Sequence, residues 1–168
     1  MKRYLLFICS LCVVLTSCSL SDMRRVDVTG VNMEPTIEQG SSIIVSENKK
    51  DIERIKRFDI VVYSAPDANK NYVGRVIGLP GEDIVYEGDQ LLVDGERIAE
   101  PFLEESIAQA TGTNPFTWNF TSKEALSAQT IPDGTYFIMG DNRPMSKDSR
   151  MIGAIAQEHI IGVKSVEE

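Results

Sequence analysis

Thr29-Gly30-Val31-Asn32-Met33-Glu34-Pro35-Thr36 is the stretch on which the reading of this 168-residue chain turns. A glycine, a proline and a central asparagine make it a tight loop leaving a strand, and Gly40 supplies the next turn. Strand signals surround it from Val26 onward. Ser42-Ile43-Ile44-Val45, Asp59-Ile60-Val61-Val62-Tyr63 and Tyr72 through Ile77 are rich in β-branched and aromatic residues. Asp83-Ile84-Val85-Tyr86 and Gln90-Leu91-Leu92-Val93 are joined through Glu87-Gly88-Asp89, a hairpin with a glycine turn. Asp94-Gly95 is a second turn of the kind that takes positive φ, and Thr135 to Met139 and Ile160 to Lys164 complete the set.

A helical period is visible only weakly, at Glu104 to Ala110 and Ser122 to Ala128. The expectation is a mainly-β body over residues 26–168, interrupted by an irregular insert at 102–131 in which Phe116, Trp118 and Phe120 form a small apolar cap. An apolar fraction of 42% and a charged fraction of 25% fit a folded domain with room for a core.

Several functions are excluded. A net charge of −8 argues against a nucleic-acid partner, which needs a basic face. The basic run Lys49, Lys50, Arg54, Lys56 and Arg57 is interleaved with Asp51 and Glu53 and reads as a solvated face. All three cysteines, Cys9, Cys12 and Cys18, fall near the N-terminus, so the body holds neither a disulfide nor a thiolate metal site. His159 is the single histidine. No metal or other cofactor is expected.

Residues 1–20 have the layout of an export segment, with Lys2-Arg3 ahead of an apolar run from Tyr4 to Leu15. The run is short for a membrane span, which takes roughly 20 residues. It closes on Leu15-Thr16-Ser17-Cys18, which resembles a bacterial lipobox with Cys18 as the lipidated residue. A lipid anchor, an uncleaved membrane anchor and simple secretion all stay open, and each puts the body outside the cytoplasm.

Four stretches resemble the boxes of signal peptidase I, the membrane-bound serine protease that removes signal peptides from exported proteins. Gly30 to Ile37 is similar to the family's nucleophile loop, Gly-x-Ser-Met-x-Pro-Thr-Leu. Phe58 to Tyr63 resembles its Gly-Asp-Ile-Val-Val-Phe strand, and Gly74 to Glu82 its Lys-Arg-Val-Ile-Gly-Leu-Pro-Gly-Asp box. Gly140 to Arg150 resembles Gly-Asp-Asn-Arg-x-x-Ser-x-Asp-Ser-Arg. The resemblance implies the family's β-fold.

It also exposes two departures. Where the family carries its serine nucleophile this chain has Asn32, and where it carries the lysine base it has Gly74. A serine–lysine pair works because a buried lysine has a lowered pKa and takes the hydroxyl proton. A carboxamide and a hydrogen atom do neither. In serine proteases, loss of nucleophile or base costs about 10⁶ in turnover, and only about 10³–10⁴ over water survives.

The resemblance makes Ser146 the residue that would hydrogen-bond the lysine, and Asp148 with Arg150 an ion pair bracing the loop. It implies a groove that takes an extended polypeptide by strand addition. Val28, Gly30, Met33, Ile37 and Ile43 would line one wall, and Tyr72 and Val73 the other. Gly74 would widen it where a lysine stem stood, and Asn32 could bond a peptide carbonyl without cutting it.

The implied protein sits on the outer face of the cytoplasmic membrane and binds a signal peptide, a pilin or another exported polypeptide. Degenerate family members are associated with pilus gene clusters of Gram-positive bacteria, where they assist assembly. The alternative is an active signal peptidase with a displaced nucleophile. For that reading Ser41, Ser42, Lys70 and His159 are the groups to place.

Overall fold

A computed structural model describes residues 22–65, 70–110 and 115–164. The export segment and Cys18 therefore lie outside the described residues. Among the described residues no helix is long and apolar enough to cross a membrane.

Strand β1 (Met23–Asp27) pairs antiparallel with β2 (Ser42–Ser46), from Met23 opposite Ser46 to Asp27 opposite Ser42. In β2 the alternation is clean: Ile43 and Val45 are buried, and Ile44 between them is exposed. A single helical turn, α1 (Lys49–Ile52), follows, started by the Asn48 side chain accepting from the Lys50 amide. Its basic residues are exposed. In β3 (Ile60–Ser64) the residues from Ile60 to Tyr63 are all buried, as befits a strand covered on both faces. β4 (Asn71–Gly78) runs back along it, with Val61 opposite Gly74 and Val62 opposite Val73.

The chain then leaves this sheet. β5 (Ile84–Glu87) and β6 (Gln90–Val93) turn through Gly88 and Asp89, and β6 and β7 (Glu96–Ile98) through Asp94 and Gly95; all four turn residues have positive φ, as two-residue hairpin turns require. A 3₁₀ turn at Pro101–Leu103 leads into α2 (Glu104–Gln109). β8 (Phe120–Thr121) joins the small sheet beside β5, and α3 (Ser122–Leu126) starts on a capping box between Thr121 and Glu124. The region 102–131 thus supplies an edge strand, β8, to the second sheet and carries two short helices, of which α3 packs on its core through Ala125 and Leu126.

β9 (Thr135–Met139) returns to the main sheet beside β4, followed by α4 (Ser149–Ile152), β10 (Ile155–Ala156) and β11 (Ile160–Lys164). The main sheet has seven strands in the order β1-β2-β11-β3-β4-β9-β10, and the second has four, β7-β6-β5-β8. Every pairing is antiparallel.

Apolar packing unites the two sheets. Ile77, Phe137 and Met139 from the main sheet meet Ile84, Tyr86, Leu91 and Phe120 from the second. Phe120 stacks between Tyr86 and Phe137, at centroid distances of 5.1 and 5.7 Å. The aromatic cap expected of the insert is therefore corrected. Phe120 is core, whereas Trp118 is 41% exposed and lies over the Arg150 guanidinium at 4.0 Å.

Candidate functional site

The loop between β1 and β2 is closed at its neck by two backbone bonds, Val28 N–H to Ser41 O (2.9 Å) and Gly40 N–H to Val28 O (2.7 Å). Met33, wholly buried, pins its middle into a core shared with Ile43, Ile60 and Val73. Next to it, Asn32 is held from two directions. Its Nδ2 donates to the carbonyl oxygen of Val73 on β4, and its own carbonyl accepts from the Asn142 amide at 3.0 Å. Asn142 Nδ2 also donates to Val31 O (3.1 Å), so the loop after β9 is docked on this one.

Glycine is required where these segments meet. A β-carbon on Gly140 would overlap the Asn32 carbonyl and the Ser146 hydroxyl. The close approach gathers Asn32, Val73 and Ser146 into one place.

Gly74 corrects an expectation. It stands among the buried residues of β4, on the face it shares with Tyr72 and Val76, and does not line the groove described below. A β-carbon there would lie 2.6 Å from Ile138 Cγ2, 3.3 Å from Tyr63 Cε1 and 3.4 Å from the Met139 carbonyl. The loss of a side chain at 74 has not widened anything. Ile138 and Tyr63 fill the space.

The loop from Gly140 to Arg150 is braced by charges out of water. Arg150 Nε and Nη2 each reach the Asp148 carboxylate at 2.8 Å, and Asp148 also accepts from the Gly140 amide at 3.0 Å. Arg75 pairs bidentately with Asp141, at 2.9 and 2.5 Å. Such pairs offset their own desolvation only when geometry is good, as it is here. Ser146 Oγ is buried and has no hydrogen-bond partner among the described residues.

A further tie was invisible in the sequence. Arg143, fully buried, donates to Glu100 Oε1 (2.6 Å), Tyr86 Oη (2.8 Å) and Thr117 Oγ1 (3.1 Å). Burial opposes the Arg143 charge, and the facing Tyr86 and Glu100 outweigh it, so its pKa stands above the ordinary arginine value. Burial pushes the Tyr86 phenol well up, so it keeps its proton and donates to Glu100 at 2.8 Å. The loop is thereby fastened to the second sheet.

Above Asn32 lies a groove of about 750 Å³. Val28, Gly30, Asn32, Tyr72 and Val73 line it, as do Val26, Thr29 and Val62. Met33, Ile37 and Ile43 do not. All three are buried in the core beneath, Met33 and Ile37 folded inward from the loop and Ile43 on the inner face of β2. Lys70, Met145 and Lys147 also line the groove, and the sequence reading had not placed them there.

Of the groups named for a displaced active site, Lys70 lines the groove and the other three lie elsewhere. Ser41 Oγ donates to Glu38 O (2.6 Å) and Ser42 Oγ to Asp27 Oδ1 (2.7 Å), and neither lines the groove. His159, in a 3₁₀ turn before β11, does not line it either.

The family model for signal peptidases, peptidase S26, matches residues 1–167. The chain belongs to the signal peptidase I family. It is 38% identical to signal peptidase I V of Bacillus subtilis strain 168, over the whole of both chains. It is 41% identical to a signal peptidase I of Bacillus caldolyticus, over 80% of this chain and 73% of that one. Among solved structures, a signal peptidase I of Enterococcus faecalis V583 superposes with a TM-score of 0.63 at 36% identity, covering 66% of this chain and 97% of the other. The mainly-β signal peptidase I-like fold read from the four boxes is thereby shown.

Proposed function

We propose that this signal peptidase I-family protein binds extended polypeptide on the outer face of the membrane without cutting it through a serine–lysine dyad. One observation carries the reading: Asn32 and Gly74 stand at the dyad positions, and the groove beside Asn32 remains. Ile138 and Tyr63 occupy the space next to Gly74. In this reading the guest lies in the groove between Val28–Gly30 and Tyr72–Val73, and the Asn32 carboxamide, whose Nδ2 is held by the Val73 carbonyl, meets it without attacking. Asp148 and Arg150 keep the loop in shape, and Ser146 has lost its catalytic duty. Cys18 or an uncleaved segment holds the body at the membrane. The guest is an exported protein, and assistance to pilus or other surface-protein assembly is the role this chemistry fits.

The test uses the full chain in detergent. A preprotein with its signal peptide should bind saturably and remain uncut, and surface-protein polymerisation in cells should suffer when the chain is absent. Cleavage of the bound preprotein by the purified chain, lost on substitution within its own groove, would sink the proposal.

A second reading is favoured by the names of the relatives, which are peptidases. If this chain also cleaves signal peptides, it needs a hydroxyl within the groove. Thr29 lines it, and Lys70 and Lys147 line the same space. Thr29→Ala should then abolish cleavage. Ser41→Ala, Ser42→Ala and His159→Ala should leave it intact.

A further inference from the structure

One hydrogen bond crosses the groove. Gly30, Asn32 and Val73 all line it. Asn32 Nδ2 donates to the Val73 carbonyl oxygen, and Asn32 Oδ1 lies over Gly30, where a β-carbon would come within 2.9 Å of it. The carboxamide therefore reaches from one side of the groove to the other. The place it fills is that of a strand. On β4, the Val76 amide donates to Asp59 O at 2.9 Å and its carbonyl accepts from the Phe58 amide at 2.7 Å, both on the segment leading into β3. Backbone groups alternate sides along a strand, so those of Val73, three residues back, face the opposite edge. β9 covers that edge only from Arg75, opposite Met139, to Gly78. Beside Val73 the donor is the Asn32 side chain.

We infer that the Asn32 carboxamide is a latch on this groove, an internal stand-in for a guest peptide group that the guest displaces on binding; this rests on the groove reading above. A carboxamide carries the N–H donor and carbonyl acceptor of a peptide bond, so a guest amide replaces it like for like. Until it is displaced, the binding-competent form is a minor population, and apparent affinity is lowered in proportion. One hydrogen bond of this kind sets that factor at roughly three- to tenfold. The side chain can be removed without undocking its loop. The Asn32 carbonyl accepts from the Asn142 amide at 3.0 Å, Asn142 Nδ2 donates to Val31 O at 3.1 Å, and Met33 is wholly buried. None of these uses the Asn32 carboxamide.

Fluorescent peptides with one Ala-x-Ala core, unmodified or N-methylated at one residue at a time, are titrated by anisotropy against the full chain and its Asn32→Ala variant in detergent. Asn32→Ala should bind the unmodified peptide about three- to tenfold tighter. N-methylation at one position, where the guest amide meets the Val73 carbonyl, should cancel that gain. Asn32→Asp keeps the shape and withdraws the donor, and it should tighten binding as well, which keeps the test open if alanine unsettles the loop. Circular dichroism of each variant certifies the fold. Equal or weaker binding by both folded variants overturns the latch and leaves the groove reading standing. A gain that no N-methylated peptide cancels also overturns it, since the carboxamide then obstructs by bulk alone. Failure of every peptide to bind parent or folded variant overturns the groove reading and the latch with it.

Discussion

The Asn32 carboxamide donates to the carbonyl oxygen of Val73, the residue just ahead of Gly74. The residue that the resemblance sets at the nucleophile position is therefore hydrogen-bonded to the chain neighbour of Gly74, the residue it sets at the base position. What separates this site from a working dyad is chemistry at Asn32 and packing at Gly74.

That difference predicts the outcome of a reconstruction. Asn32→Ser with Gly74→Lys restores both functional groups, but the lysine β-carbon would sit 2.6 Å from Ile138 Cγ2. That methyl lies on a branched Cβ, so it moves only by a change of rotamer, and overpacking of this kind costs about 1–3 kcal/mol. The double variant should stay near background against a preprotein, and Ile138→Ala added to it should raise cleavage at least tenfold. Equal activity in double and triple variants would show that Ile138 yields freely.

Much of this fold was legible in the sequence, for a physical reason. Ile43 and Val45, or the run Ile60 to Tyr63, advertise strands because β-branched side chains fill a pleated, buried face. Helices α2 and α3 showed only as weak helical periods at Glu104 to Ala110 and Ser122 to Ala128. Short elements such as β10 escaped, since two residues carry no period. The groove was read only in part. The resemblance set Met33, Ile37 and Ile43 beside it, and the core takes up all three side chains. Lys70, ahead of β4, and Lys147, on the loop docked on Asn32, line one groove from distant parts of the chain, and Arg143 meets Glu100 and Tyr86 where that loop reaches the second sheet. Such meetings leave no mark in local sequence.

Ser146 yields a prediction of a different kind. Its hydroxyl is buried without a hydrogen-bond partner among the described residues, a condition that costs rather than stabilises. Ser146→Ala should leave stability unchanged or raise it by up to about 1 kcal/mol in urea denaturation. A loss of about 1 kcal/mol or more would mean that the hydroxyl has a role in holding the loop.

Gly140 should tolerate nothing larger. Its added methyl would fall on the Asn32 carbonyl, which is backbone and cannot rotate aside. Gly140→Ala should therefore cost about 1–3 kcal/mol, or roughly 2–12 °C in Tm. It should also weaken peptide binding by spreading the two loops that form the groove floor. A melting temperature equal to the parent's would show that the loops are not locked together as described.

The Arg143–Glu100 pair allows a sharper experiment, because removing one partner and removing both have different consequences. Arg143→Leu leaves the Glu100 carboxylate buried without its cation, at a cost of about 3–5 kcal/mol. Glu100→Gln alone keeps a carbonyl to accept from Arg143 and Tyr86, but strands the guanidinium's charge, and should cost about 1–3 kcal/mol. With both replaced, no buried charge remains, and the glutamine can still accept from the protonated Tyr86 phenol. The double variant should be more stable than Arg143→Leu alone, with a coupling of about 1–3 kcal/mol in denaturant titrations. Additive losses would mean that the two residues contribute independently, and the fastening of the loop to the second sheet would then have to be sought in Thr117 and the aromatic stack.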